Sequence, residues 1–285
     1  MSNQAASGNY YLPQPSHWPI VASIALGFIG FGASFTVNQM PLGYGLLGIG
    51  FLILFFMFAG WFTTVAHESE AGSYNKQVDT SFRWGMSWFI FSEVTFFATF
   101  FGVLFYMRVI SVPDLGSLTH QEFLWPGFKA DWPATGPGIK ETFSPMGAWG
   151  IPALNTALLL TSGITLTWAH WGLLKNKRMQ LIWGLAMTIA LGMIFLGFQV
   201  YEYIHAYSDL NLKMTMGAYG ATFFMLTGFH GFHVTIGTIM LWVILFRSVA
   251  GHFKPDSHFG FEGVAWYWHF VDVVWLFLFV VVYWL

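Results

Sequence analysis

Cysteine is missing from all 285 residues, so disulfides, zinc-thiolate sites, iron-sulfur clusters and a dinuclear copper-thiolate centre are excluded from this chain. Charge is almost as scarce. Asp, Glu, Lys and Arg make up 8% of the chain, against roughly 25% in soluble domains, so most of its surface cannot face water. The formal net charge of -2 provides no basic stripe for nucleic acid. There is no Walker loop, GxSxG, HExxH or paired-carboxylate arrangement in a plausible context, so chemistry on this chain alone is not expected. No lysine falls in mid-span, which removes the residue that a retinal Schiff base requires. Met1 to Pro19 holds neither Lys nor Arg and does not read as a cleavable signal.

What the chain has is apolar length. It is 56% hydrophobic and 20% aromatic, with 32 Phe and 15 Trp. A membrane span needs about 20 mainly apolar residues. Such windows fall near Trp18 to Asn38, Tyr44 to Ala66, Trp84 to Ile110, Gly150 to Leu174, Leu181 to His205, Gly217 to Phe246 and Gly263 to Leu285. The expected fold class is all-α, a polytopic protein with seven transmembrane helices in a single membrane domain, residues 1–285. His67 to Arg83 reads as a polar link. Ser111 to Trp149, rich in Pro and Gly, is the place for an extramembrane feature. With the N-terminus inside, the inner loops hold Lys76, Arg83, Lys175, Lys177, Arg178, Arg247 and Lys254. The outer loops hold Arg108, Lys129, Lys140 and Lys213, so the positive-inside bias favours N-inside and C-outside.

A few polar residues are costly to bury. Glu93 lies about ten residues into the third span, near mid-bilayer, where a carboxylate must be protonated, partnered or wet. Phe89, Phe96 and Phe97 at helical spacing offer it no charge. Glu202 with His205, and His269 with Asp272 at i, i+3, read as hydrogen-bonded glue between helices. His230 and His233 are the tempting haem or metal ligands, but without a matching partner at equal depth they read as interhelical hydrogen-bonding residues. No catalytic residue, haem or metal is expected in this chain. Gly217, Gly220, Gly228, Gly231 and Gly237 thin one side of the sixth helix for a neighbour.

Several runs resemble the subunit III family of the haem-copper cytochrome c oxidases: RWGMSWFIFSEVTFF from Arg83, PALNTALLLTSGITLTWAHWGLL from Pro152, YGATFFMLTGFHGFHVTIGTIML from Tyr219 and, most strongly, HFGFEGVAWYWHFVDVVWLF from His258. The likeness runs from PSHWPI at Pro15 to the last helix. It implies two bundles, helices I–II (about 18–66) and III–VII (about 84–285), with a V-shaped cleft that holds phospholipids. It also implies docking on the catalytic subunit I, where haems and copper reside, beside subunit II and other subunits of the complex. The family's part is to keep the proton-uptake side supplied and to protect the enzyme from inactivation during turnover. By position, Glu93 matches the family's buried carbodiimide-reactive glutamate, while Arg83, Trp61, Glu68, Arg247 and His252 fall where headgroup or cleft contacts lie. Mitochondrial relatives are basic where Thr63, His67 and Ala250 stand here, which implies a weaker headgroup grip or a different lipid choice. The third subunits of ubiquinol oxidases lack the first two helices, so both being present implies a cytochrome c oxidase of the A type. The expected location is a bacterial plasma membrane, N-terminus cytoplasmic and C-terminus periplasmic, with the mitochondrial inner membrane as the alternative.

Overall fold

The computed structural model describes residues 11–285; for residues 1–10, the reading of an uncleaved start lies outside the described residues. Seven helices among them are long and apolar enough to cross a membrane. They are built on α1 (Trp18–Val37), α2 (Leu42–Glu70), α3 (Lys76–Phe105), α4 (Ile151–Leu174), α5 (Arg178–Ser208), α6 (Gly217–Ala250) and α7 (Phe259–Leu278). Helix is the form the composition demands, because in hydrocarbon each backbone N–H and C=O must find its partner within the segment. Pro residues open α1 and α4, where the missing N–H costs nothing. Gly251, in the left-handed region at φ 82°, closes α6 with its N–H on the Arg247 and Ser248 carbonyls.

Three boundaries differ from the sequence reading. The polar link expected over His67 to Arg83 shrinks to residues 71–75, since α2 continues to Glu70 and α3 begins at Lys76. Asn75 makes the early start possible: its Oδ1 accepts the Val78 N–H at 3.0 Å, and Asp79 stands in the first turn. α3 runs on through a π-helical turn, Tyr106–Ser111, and a short helical turn, Val112–Leu115, so the long connection starts later than expected. α7 likewise ends in a π-helical turn, Phe279–Trp284.

The chain divides into two compact units, one ending at Phe82 and one beginning at Arg83. In the first, α1 and α2 pack as an antiparallel hairpin whose contact is made by glycines. A Cβ at Gly32 would stand 2.6 Å from the Leu47 nitrogen, and one at Gly50 would stand 2.7 Å from Ile29 Cγ1, so only glycine permits this approach. The second unit holds a core of buried side chains from α4 to α7 together with Phe97 and Leu104 of α3, against which Met86 and Ile90 of α3 pack. α7 is the innermost, with 56% of its span buried. The long connection docks on this unit: the Ala134 and Thr135 carbonyls accept the Tyr219 and Ala218 N–H groups at 3.0 and 3.1 Å, covering the start of α6.

Candidate functional site

Glu93 has a partner on another helix. Its Oε2 lies 3.0 Å from His233 Nε2 on α6, so the partly buried carboxyl of α3 is tied across a helix contact. The ring's other nitrogen, Nδ1, lies 2.7 Å from the Phe229 carbonyl, which can only accept, so Nδ1 carries a hydrogen. Nε2 of a neutral ring is then a bare acceptor. The contact with Glu93 therefore contains one proton, held by the carboxyl or by the ring. Phe97 and Phe96, at ring distances of 5.0 and 6.0 Å from His233, keep the pair in apolar surroundings.

A second cluster gathers at the start of α7. The Arg83 guanidinium forms an ion pair with Glu262 Oε2 and lies over the Phe259 ring, 5.7 Å from its centre. The other carboxylate oxygen of Glu262 faces His258 at 3.4 Å and His170 at 3.9 Å. The two histidines face each other with Nε2 atoms 3.4 Å apart. Arg247 reaches the same end of the unit, 4.7 Å above the Phe253 ring, and a Cβ at Gly260 would stand 3.3 Å from its Nη1. His252 is exposed just past α6, its N–H on the Arg247 carbonyl at 3.0 Å.

Trp61 and Glu68 belong to the first unit, on α2. Trp61 is exposed, while Glu68 accepts from the Tyr74 hydroxyl at 2.7 Å. Burial and the Glu68 carboxylate both push the Tyr74 phenol above its ordinary pKa, so it stays protonated and donating. Tyr11 and Phe82 pack edge-on against the Tyr74 ring at 5.6 and 5.0 Å.

Of the two other expected pairs, Glu202 with His205 is rearranged and His269 with Asp272 is kept. Glu202 takes its hydrogen bond from Tyr283 at 2.6 Å, beyond α7, whereas His205 turns to Asp209, the residue that caps the end of α5, at 2.6 Å. His269 and Asp272 meet within α7 at 3.5 Å, and His269 reaches α4 through Thr167, also at 3.5 Å. His230 departs from expectation: among the described residues neither ring nitrogen has a hydrogen-bond partner, and the ring packs between Phe195 and Trp275 instead. The glycines of α6 do not serve one neighbour. Gly237 lies on the far face and receives the Trp268 ring, while Gly228 and Gly231 line a shallow groove of about 190 Å³ with Gln199 and Tyr203. Sequence reasoning passed over His170, His258 and Glu262. The i, i+4 spacing of His258 and Glu262 at a helix start was the available signal; His170 lies 88 residues away from His258, and only the fold joins them.

The family model described as cytochrome c oxidase subunit III matches residues 8–285. A protein named cytochrome c oxidase subunit 3 from Prototheca wickerhamii is 41% identical over 265 residues, covering 93% of this chain and 92% of its own. Proteins of the same name from Latimeria chalumnae and Struthio camelus are 41% and 40% identical, each covering 96% of this chain and 95% of their own.

Proposed function

The chain belongs to the cytochrome c oxidase subunit III family, and from that premise we propose that it is the redox-inert third subunit of a proton-pumping oxidase that takes electrons from cytochrome c to oxygen. The observation that carries this reading is the family match, which leaves only the first seven residues uncovered. Haem and copper then belong to partner subunits. This chain contributes a helical body that supports subunit I, keeps proton uptake supplied and prolongs the enzyme's working life. Its main contact is with subunit I through α3 to α7, with subunit II and other subunits nearby. It sits in an energy-converting membrane, a bacterial plasma membrane or the mitochondrial inner membrane, with the N-terminus on the inner side.

The same proposal gives the basic residues a lipid role. Arg83 and Arg247 bind phospholipid phosphate at the inner interface; Trp61, Glu68 and His252 take headgroup or glycerol contacts, and Glu93 is the buried carboxyl of the lipid site. A guanidinium presents a planar fork of N–H donors that matches phosphate oxygens, and part of the Arg83 side chain is accessible beside Glu262.

Purification of the tagged full chain in mild detergent tests the assembly. The expected result is co-purification of a larger chain carrying haem, cross-linked through α3 to α7. A chain that purifies alone, or that is joined only through α1 and α2, rules the reading out.

A further inference from the structure

We propose that His170, His258 and Glu262 form a binding site for a zinc-class divalent cation. The ligand atoms set the case: His170 Nε2 to His258 Nε2 is 3.4 Å, His258 Nε2 to Glu262 Oε1 is 3.4 Å, and His170 Nε2 to Glu262 Oε1 is 3.9 Å. A tetrahedral ion with ligands at about 2.0–2.1 Å spaces those ligands about 3.3–3.4 Å apart. Two edges of the tetrahedron are already in place, and the third needs a shift of a few tenths of an ångström by two side chains.

The orientation of the ligands agrees with their spacing. His258 Nδ1 lies 3.1 Å from the Lys254 carbonyl, which can only accept, so Nδ1 carries a hydrogen and the Nε2 lone pair of the neutral ring faces the cluster. Arg83 engages Oε2 of Glu262, which turns Oε1 toward the histidines. Two imidazoles and one carboxylate suit zinc, and leave a fourth position open. Partial exposure of His170, with 27% of its side chain accessible, gives an ion a route in. The Arg83 charge opposes a cation, so the fourth position suits an anion. His170 ends α4 and the other two ligands begin α7, so an ion would tie those helices together. The proposal departs from the expectation of a chain without metal. Its rival is a hydrogen bond in which the His170 Nε2–H donates to His258.

The test uses the full chain in the complex with which it purifies. The sample is stripped with chelator, dialysed against graded Zn²⁺ and measured for bound zinc, beside His258→Ala, Glu262→Gln and, as a control distant in sequence, His120→Ala. The expected result is one zinc per chain that His120→Ala retains, with affinity falling about a hundredfold or more in the other two variants. Equal zinc in wild type and both ligand variants overturns the proposal. Should the variants fail to assemble, zinc-edge X-ray absorption on the wild type decides: two imidazole ligands support the site, and fewer than two refute it.

Discussion

At Glu93 the relevant unit is the pair with His233, because the Phe229 carbonyl fixes the ring so that one proton must lie between Nε2 and the carboxyl. A pair holding one proton is neutral in both of its forms, which is why it is tolerable at this depth without a lysine or arginine. Glu93→Gln preserves the contact, since the amide NH₂ donates to the bare Nε2, and the shift in stability should stay below about 1 kcal/mol. His233→Leu removes the acceptor and leaves a partly buried carboxyl to be satisfied elsewhere, at a cost of about 1–3 kcal/mol. Thermal unfolding of both variants in detergent checks this; equal losses from the two would show that the hydrogen bond is not what the residues contribute. Glu93 stood out in the sequence because an acid in an apolar window is conspicuous. Its partner did not, being 140 residues away on a helix whose facing side no periodicity reveals. His230 was misread for the converse reason: a histidine suggests a hydrogen bond, while its surroundings are the rings of Phe195 and Trp275.

Among the helices, α7 holds the second unit together, and Trp268 shows how. Its ring fits where a Cβ at Gly192 of α5 would come within 2.8 Å and one at Gly237 of α6 within 2.9 Å, and its Nε1–H donates to Ser162 Oγ of α4 at 2.8 Å. One side chain thus meets three neighbouring helices. Gly237→Ala should destabilise by about 1–3 kcal/mol, because the added methyl meets a buried ring that has no room to retreat. Gly231→Ala, with nothing within 4 Å of its Cβ, should be neutral or stabilising by up to about 1 kcal/mol from helix propensity. Matching unfolding midpoints for the two variants would contradict this account of α6. The spans themselves were legible, since apolar windows of the required length admit little but helix. The ends were less so: α2 and α3 extend into polar sequence, where Asn75 and Asp79 carry the start signal and hydropathy carries none. The glycines were visible too, but a list of positions does not say which of them a tryptophan fills.

For the whole chain, burial is uneven: 11% of the α1 span, 17% of α2 and 11% of α3 are buried, against 56% of α7. Faces so open must be covered by lipid or by protein, which is why lipid retention is the measurement that bears on the proposed role. Arg83 and Arg247 both lie at the start of α7, one over Phe259 and the other beside Gly260, so one phosphate-bearing headgroup could engage both. A juxtamembrane arginine is worth about 1 kcal/mol toward an anionic surface, so loss of both should weaken lipid binding by about tenfold or more. Arg83→Ala also leaves Glu262 without its guanidinium, and the added negative charge should repel phosphate further. Arg83→Lys keeps the charge but loses the fork, and should fall between wild type and Arg83→Ala. The comparison therefore runs through Arg83→Lys, Arg83→Ala, Arg247→Ala and the double alanine variant, reading retained phospholipid and the number of turnovers before inactivation. Lipid and lifetime should decline together along that series, while the initial rate holds, because the proposed function puts the redox centres in other chains. A double variant that keeps both its lipid and its lifetime removes the arginines from the lipid role, and one that loses lipid yet keeps its lifetime separates lipid binding from protection.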